Sequence, residues 1–439
     1  MSLPALPMEL VQRLAVMIED DRDLCNLSAT CRTLHHSIVA RSWVLKSRFN
    51  ATYDAPHTLR PRAKPESPEF LKILYQQRQS ILHRPIKFFM GKTPAEKRYL
   101  MLMRHLILES SASENQETGI VSGRNLGCLE HFACSVSSLV RQQVVVHPVQ
   151  YTINPLLLAI QLTLAHLYLR PVINMDVHHF EISQQTVYAP MTQIQLYIGN
   201  TANFVNLGLL NHILNFFKYH LTVVHEGELY HLLKRLEEKS KPSGWPHILS
   251  QTLSSMNQNW IGQSGRLEYH DLLRMRSVNR SNGLNAHDNY IYSDIFSESA
   301  FEELEISMGD DIEFPEIHRM CDAVEIDSPV GEYIRLAGSG IDSRDFRIEG
   351  RLYSLPEQQE IPGWQRVVFA RWHPDEDPEL PITPYWIYEG CILPGGEIML
   401  GRWYAPSSSD WPEYFDSGPF IYWTQPSPPA DSPSSSSSS

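Results

Sequence analysis

The sequence has few cysteines and no long apolar run, and each absence excludes a class of protein. Six cysteines in 439 residues are too few for a disulfide framework. The most apolar stretch, residues 155–169, is too short to span a bilayer and contains Gln161 and His166. No basic segment followed by an apolar run stands at the N-terminus, so we expect no signal peptide. These features predict a protein of the cytoplasm, the nucleus or both, with no membrane partner.

Basic charge is also scarce. The chain carries 37 Lys and Arg against 50 Asp and Glu, which gives a net charge of −13. A general nucleic-acid-binding surface is basic, so we expect no nucleic-acid partner. Hydrophobic residues make up 42% of the chain and charged residues 20%, a balance typical of globular proteins. At this length we expect two or three domains.

Motifs for catalysis or cofactor binding are missing. No phosphate-binding Gly-x-x-x-x-Gly-Lys-Ser/Thr run occurs, and residues 262–265 lack the Gly-x-Ser-x-Gly spacing of a nucleophile elbow. The pairs Cys25/Cys31 and Cys128/Cys134 are six residues apart, too wide for the close Cys pairs of zinc sites. We therefore predict a protein that is not an enzyme and that binds no cofactor and no metal.

The first fifty residues are predicted to form three short helices. Pro7 and Glu9 suit a first helical turn, where a proline needs no N–H and an acidic side chain lies near the positive end of the helix dipole. An apolar stripe at helical spacing follows at Leu10, Leu14, Met17 and Ile18. Asp23 is a candidate cap for the second helix. The apolar residues after it are Leu24, Leu27, Cys31 and Leu34. Helices of this size bury too little surface to be stable alone, so the stripe must pack on the rest of the chain or on a partner.

This stretch resembles the F-box, the adaptor-binding module of a family of ubiquitin ligase subunits. The residues that carry the resemblance are Leu6, Pro7, Glu9, Leu10, Asp23, Leu24, Leu27, Cys31, Arg32 and Trp43. The resemblance implies a surface that binds an Skp-type adaptor and, through it, a cullin scaffold. The adaptor-binding residues that it implies are Leu6, Pro7, Leu10, Leu24, Leu27, Cys31 and Leu34. A helical hairpin that packs only on its own protein remains the alternative.

Composition divides the rest of the chain into segments. Residues 51–68 are predicted to be a Pro-rich basic linker. Residues 69–296 are predicted to be mainly helical, with a capping box at Thr93 and Glu96. Residues 297–330 form an acidic connector, with eleven Asp or Glu and one Arg between 297 and 327. A docking surface for a basic substrate segment is the alternative reading of that connector. Residues 426–439 are predicted to be a disordered Pro/Ser tail.

Residues 331–425 are predicted to be a β-rich substrate-binding domain. Short aromatic and β-branched runs, separated by turn residues, occur at 333–337, 346–355, 364–372, 385–393, 397–404 and 419–423. Such spacing predicts an antiparallel sheet, sandwich or barrel. The region also resembles the C-terminal half of a group of fungal F-box proteins, through residues 361–366, 388–390, 393–403 and 418–423. The expected fold class is α+β multidomain: a three-helix F-box, a mainly helical middle and a C-terminal antiparallel sheet or barrel-like domain.

The function implied by the resemblance is substrate recognition in an SCF-type (Skp–cullin–F-box) E3 ubiquitin ligase. Candidate substrate-binding residues are Trp364, Arg366, Trp386, Arg402 and Trp403, with core packing as the alternative for each. Two other functions stay open: a scaffold that binds the adaptor without delivering a substrate, and a carrier of a small apolar ligand inside a closed β-barrel. Nothing in the sequence specifies the protein substrate or its degron.

Overall fold

The structure is a computed structural model of the chain. It describes residues 6–54, 67–82, 90–111, 121–135, 153–170, 180–199, 203–223, 228–245, 258–282, 291–296, 300–309, 333–374, 385–405 and 416–425, together with residues 86, 88, 113 and 114. The chain divides into two compact units. The N-terminal unit comprises residues 1–113 and 122–140, and the C-terminal unit comprises residues 114–121 and 141–439. The predicted tail, and most of the predicted linker and acidic connector, lie outside the described residues.

The N-terminal unit is helical. Its helices are α1 (Met8–Met17), α2 (Asp21–Ala29), α3 (Arg32–His35), α4 (Ser42–Thr52), α5 (Pro68–Leu82), α6 (Pro94–Leu108) and α7 (Arg124–Ser135). A π-helical segment, His36–Ala40, continues α3. The two-residue strands β1 (Ser113–Glu114) and β2 (Val121–Ser122) lie between α6 and α7 in the sequence. The stretch predicted as three helices is therefore divided into more segments than expected, and α4 extends past residue 50 into the predicted linker.

Two helix starts show how local sequence decides the boundaries in this unit. At α6 the predicted capping box is confirmed: Thr93 Oγ1 accepts from the N–H of Glu96 at 3.2 Å, and the Glu96 carboxylate accepts from the N–H of Thr93 at 2.9 Å. At α2 the expected cap is corrected. Asp20, not Asp23, is the N-cap and accepts from the N–H of Arg22 at 2.7 Å, because the helix already begins at Asp21.

The C-terminal unit combines helices with a β-barrel. Its helices are α8 (Pro155–Thr163), α9 (Ala165–Tyr168), α10 (Phe180–Val187), α11 (Leu207–Thr222), α12 (Glu228–Arg235) and α13 (Tyr269–Asn282), with a short 3₁₀ turn at Glu238–Ser240. The small strands β3 (Tyr197–Ile198) and β4 (Phe204–Val205) pair with each other. Among the described residues, none of the helices has the length and apolar character needed to span a membrane.

The barrel is closed and antiparallel, with every strand next to its neighbour in sequence. Its strands are β5 (Asn259–Ser264), β6 (Glu302–Met308), β7 (Tyr333–Ile341), β8 (Asp345–Ser354), β9 (Gln365–Trp372), β10 (Tyr385–Ile392), β11 (Ile398–Tyr404) and β12 (Ser417–Thr424). Pairing of β12 with β5 closes the cylinder. The expected α+β class, with an antiparallel barrel at the C-terminal end, is confirmed.

Alternate residues along each strand point into the lumen of the barrel. One buried cluster fills that lumen and includes Trp260, Leu304, Leu336, Phe346, Ile348, Leu352, Val367, Phe369, Tyr388, Met399, Trp403, Phe420 and Tyr422. Eight strands enclose an interior that side chains can fill. The barrel is therefore a packed core rather than an empty container.

Two barrel strands lie outside the segment predicted to be β-rich. β5 falls within the region predicted to be mainly helical, residues 69–296, and β6 falls within the predicted acidic connector, residues 297–330. The six predicted strands are fewer than the eight that form the barrel. The predicted start of the β-rich domain at residue 331 is therefore wrong, because the first barrel strand begins at Asn259. In β6 the acidic residues Glu303 and Glu305 alternate with the buried Leu304 and Ile306, and this period of two is the mark of a strand with one face in the core.

Candidate functional site

An exposed apolar stripe lies along α1. Leu10, Leu14 and Met17 are 46%, 44% and 77% exposed, although their spacing of four and three residues would suit a buried face. A neighbouring face of the same helix, roughly 100° away, supplies the core through the buried Val11 and Ala15. The helix is therefore apolar on two sides, and its own unit covers only one of them.

The other residues implied by the F-box resemblance are divided between surface and core. Pro7 is exposed, and Leu6, Leu27 and Cys31 are half-buried. Leu24 and Leu34 are buried in the unit itself. Of the predicted adaptor-binding set, only Pro7 and Leu10 are exposed, while Leu14 and Met17, which that set omitted, complete the open stripe. The helical spacing of all these residues was visible in the sequence, but the side each one faces was not.

Polar contacts hold α1 in place against the unit. Gln12 Nε2 donates to the Ser37 carbonyl at 3.1 Å. The Arg48 guanidinium donates to the carbonyls of Ile18, just beyond the end of α1, and of Glu19, the latter at 2.8 Å. Arg48 is also ion-paired with Asp21 at 2.6 Å. These bonds position the exposed stripe on a rigid support.

A pocket of about 750 Å³ lies beside α2 in the same unit. Leu24, Cys25 and Leu45 are among its apolar walls, and Asp20, Asp21 and Gln79 contribute polar groups. Tyr75 also lines it, and its hydroxyl donates to the Asp21 carboxylate at 2.8 Å. Burial raises the pKa of Tyr75 to about 12, so this hydroxyl stays protonated as a donor at neutral pH.

In the barrel, Arg366 is buried on the outer face of β9. Its Nη2 atom contacts Glu389 Oε1 at 2.7 Å, and its guanidinium lies over the Tyr197 ring at 4.5 Å. Burial raises the pKa of Glu389, against the opposing effect of the Arg366 guanidinium. Arg366 therefore links β9 to Glu389 on β10 through the ion pair and to Tyr197 on β3 through the ring contact.

Arg402 is also internal. It is fully buried, and its Nη1 and Nη2 atoms donate to the carbonyls of Ile194, at 3.1 Å, and of Ala189. Burial, with a smaller effect of Arg276, lowers the pKa of Arg402 to about 9, so the side chain still carries its charge at neutral pH. The guanidinium satisfies two carbonyls in the segment between α10 and β3, a structural role.

The candidate tryptophans are likewise directed into the unit. Trp364 Nε1 donates to the Ile361 carbonyl at 2.9 Å, and Trp403 Nε1 donates to the Gly265 carbonyl at 3.1 Å. Both rings are buried, whereas Trp386 is half-buried and packs against the lumen cluster. The expectation of an accessible substrate site is therefore corrected for Trp364, Arg366, Arg402 and Trp403, because each is enclosed by the fold.

A polar network that sequence reasoning missed lies inside the barrel. Arg371 ion-pairs with Glu302 at 2.8 Å and with Asp342, and its Nη1 atom donates to the Tyr388 hydroxyl at 3.1 Å. Tyr422 donates its hydroxyl to the same Glu302 carboxylate. Arg371 points to the same side of β9 as Phe369, two residues earlier, and Val367, four residues earlier, and this alternation was the available signal for a lumen position. All of these groups are buried or half-buried and pair with one another, so the network stabilises the lumen.

Two polar clusters resemble catalytic arrangements by residue type. Ser183 Oγ lies 3.1 Å from His212 Nδ1, and burial lowers the pKa of His212 to about 4. His220 Nε2 lies 3.0 Å from Asp294 Oδ2, which also accepts from Gln184 at 2.6 Å. Ser183 is completely buried, so a substrate has no access to its hydroxyl. Across the described part of the chain, no group of three His, Cys, Asp or Glu side chains is placed to hold a metal ion.

The chain was compared with models of protein families, with curated proteins and with solved structures. None of the three comparisons finds a match. A functional proposal for this protein therefore depends on its own residues and their geometry.

Proposed function

We propose that this protein is the substrate-recognition subunit of an SCF-type E3 ubiquitin ligase. The N-terminal unit is an F-box module that binds an Skp-type adaptor and, through it, a cullin scaffold. The C-terminal unit holds a protein substrate. The observation that carries the proposal is the exposed stripe of Leu10, Leu14 and Met17 on α1, directly after the Leu6-Pro7 pair that carries the F-box resemblance.

Exposure of this apolar stripe to water is unfavourable. Single exposed apolar residues are ordinary, but three on one helix face form a contiguous patch, and such patches mark interaction sites. Burying one such side chain on a partner contributes about 1.5–3 kcal/mol, and a few desolvated side chains supply most of an interface's affinity. Polar contacts at residues 12 and 48 hold the helix, so little conformational entropy is lost when a partner binds.

In this role the chain performs no chemistry of its own. The ligase transfers ubiquitin from a charged conjugating enzyme, and the receptor accelerates that step by holding the substrate close, which raises the effective concentration of its lysines. The buried state of Ser183 and the mutual pairing of the lumen groups support a non-catalytic role.

The two alternative functions, a carrier of an apolar ligand and a non-ligase scaffold, require different features of the structure. A carrier of a small apolar ligand needs room in the barrel, and the packed lumen cluster with its Arg371 network argues against that reading. A scaffold that binds the adaptor without delivering a substrate would use the same α1 stripe. The presence of cullin and of ubiquitinated partners distinguishes that alternative from the ligase.

The test is adaptor binding by full-length variants. Leu10→Asp combined with Met17→Asp places two charges on the stripe without altering the buried Val11 face. Loss of one buried apolar contact costs about 2 kcal/mol, which is roughly 30-fold in affinity, and two losses should abolish detectable binding. The matched control is Ile73→Asp on α5, a residue that is 51% exposed and thus as open as Leu10.

Affinity for a purified Skp-type adaptor is measured by calorimetry, and circular dichroism checks that each variant is folded. Wild type and Ile73→Asp should bind equally, and the double variant should not bind. Equal binding by all three proteins, or none by the folded wild type, would refute the proposal. Co-purification of cullin and of ubiquitinated partners with wild type alone then separates the ligase from the scaffold.

A further inference from the structure

The pocket beside α2 has apolar walls and a polar rim. Its apolar walls include Leu24 on α2, Ile38 in the π-helical segment and Leu45 on α4, and all three side chains are buried. Gln76 and Ser80 line it from α5, and both are exposed. A volume of about 750 Å³ lies within the usual range of ligand pockets and is large enough for an aromatic or long aliphatic side chain. The pocket therefore suits an apolar group that enters from solvent past polar residues.

Polar bonds hold the two helical walls of the pocket at a fixed separation. The Tyr75 hydroxyl on α5 donates to the Asp21 carboxylate on α2 at 2.8 Å, and Arg48 on α4 is ion-paired with the same carboxylate at 2.6 Å. Leu24 is only 4% exposed, so a partner contacts it only by placing a group inside the pocket. A pocket that is formed before binding takes up such a group with little loss of conformational entropy.

The exposed stripe on α1 is too small to be a whole interface. A stable interface buries roughly 800 Å² on each partner, from about 20–30 residues on each side, and the stripe offers three. Met17, the last residue of the stripe, is three residues before Asp20, which lines the pocket, so their Cα atoms are at most about 11 Å apart. A partner of ordinary footprint that is seated on the stripe therefore also reaches the pocket.

We propose that this pocket receives an aromatic or long aliphatic side chain of the Skp-type adaptor. The adaptor surface then runs from α1 across α2 to α5, which lies outside the first fifty residues, and Leu24 contacts the adaptor from inside the pocket. The inference rests on the proposed function, which names the partner. An apolar pocket with a polar rim is the kind of site in which an interface places its strongest anchor. A side chain delivered by a partner that is already held on the stripe also binds at a high effective concentration.

The first test fills the pocket from α5 in the full-length protein. Gln76→Trp and, separately, Ser80→Trp place a bulky side chain at the pocket and leave the α1 stripe unchanged. Each should weaken the affinity for a purified Skp-type adaptor, measured by calorimetry, by at least roughly tenfold, because a buried apolar anchor is lost. The matched control is Gln77→Trp, since Gln77 is an exposed glutamine of the same helix that does not line the pocket. Gln77→Trp should bind as wild type does, and circular dichroism checks the folding of each variant. Ile73 does not line the pocket either, so Ile73→Asp should leave this contact unchanged.

The second test needs no substitution in the pocket. Cys25 is exposed and lines the pocket, so its thiol is a probe of occupancy. Adaptor at saturation should slow the alkylation of Cys25 by N-ethylmaleimide at least roughly tenfold, because a side chain inside an interface is shielded from solvent. Peptide mass spectrometry measures the rate. The control is the Leu10→Asp, Met17→Asp variant with the same adaptor, which should show no protection.

Three results would overturn the proposal. One is equal adaptor affinity of wild type and both folded tryptophan variants, and another is adaptor binding that leaves Cys25 unprotected. The third is protection of Cys25 that increases with protein concentration in the absence of adaptor, which would assign the pocket to a second copy of the chain. In the first two cases the adaptor still binds wild type, so the proposed function stands. Failure of the proposed function is distinct, because the folded wild type then binds no adaptor.

Discussion

Removal of the Arg371 guanidinium should destabilise the barrel more than any exposed substitution on the same sheet. Arg371 is buried in the lumen, with Glu302 at 2.8 Å and Asp342 as its second carboxylate partner. In Arg371→Met the apolar side chain fills similar volume, but two carboxylates lose their counter-charge, and Glu302 is itself buried. Breaking a buried ion pair from one side costs about 3–5 kcal/mol.

The assay is urea denaturation of the full-length protein followed by tryptophan emission. Trp260, Trp364, Trp403 and Trp423 are all buried in the C-terminal unit, so the emission shift reports mainly on this unit. For a slope of about 2–3 kcal/mol per molar urea, the midpoint should fall by roughly 1–2 M. The matched control, Arg347→Met on the exposed face of β8, should change the free energy of unfolding by less than about 0.5 kcal/mol.

A double-mutant cycle tests the cause. Glu302→Gln removes one of the two charges that Arg371→Met leaves unpaired, so the double variant should be more stable than the sum of the single losses predicts, by about 1–3 kcal/mol. Additive losses would mean that the two side chains act independently. A loss below about 1 kcal/mol in Arg371→Met would refute the reasoning that the network stabilises the lumen electrostatically.

Two further predictions concern other parts of the fold. Thr93→Ala removes the cap of α6 and should cost about 1 kcal/mol and raise hydrogen exchange in the first turn, whereas Thr93→Ser should retain both the cap and the protection. Burial lowers the pKa of His166 to about 3, below its ordinary value of 6.5, so the unfolded chain binds the extra proton first. Stability should therefore fall as the pH drops below 6.5, by about 1.4 kcal/mol per pH unit from this group. His166→Phe should reduce that slope in acid denaturation curves, and an unchanged slope would contradict the assignment.

Helix positions were predictable where local chemistry decides them. The Thr93 cap and the proline after it specify the start of α6 within a few residues, and the structure agrees. At α2 the sequence favoured Asp23 as the cap, but Asp20 serves instead, because each of the acidic residues at 20, 21 and 23 can accept from a free N–H group. These helices were therefore predictable as helices from sequence, and their boundaries were predictable only at strong capping signals.

The barrel was only partly predictable, because its first two strands come from segments with misleading composition. In β6 the charged residues that suggested a connector alternate with core residues. A count of acidic residues over the whole segment does not show that alternation of charged and apolar positions. β5 contains Gly262 opposite Tyr422, where a Cβ atom would lie 2.0 Å from the Ile421 carbonyl oxygen. That close approach explains the glycine, but it is a property of the paired strands and has no sequence signal.

The candidate site was predictable in its helix spacing but not in its exposure. Leu10, Leu14 and Met17 were recognised as one stripe, yet the same pattern describes a helix that packs on its own core. Conversely, Trp364 and Arg402 were candidates for binding because large and charged side chains often bind ligands. Both are enclosed, since helices and loops of the C-terminal unit cover that side of the barrel. Exposure depends on contacts between segments distant in sequence, which periodicity does not report.

The way the barrel is covered also limits how a partner can bind it. A closed barrel has no free strand edge, so a peptide cannot be captured by backbone pairing as an added strand. On the outer face of β9, β10 and β11, residues such as Val368, Ile387 and Arg402 are already buried. On β6, β7 and β8 the outward residues Glu305, Ser339 and Arg347 are exposed. Among the described strands, a partner that approached the outside of the barrel would therefore meet exposed side chains on that open face rather than unpaired backbone groups.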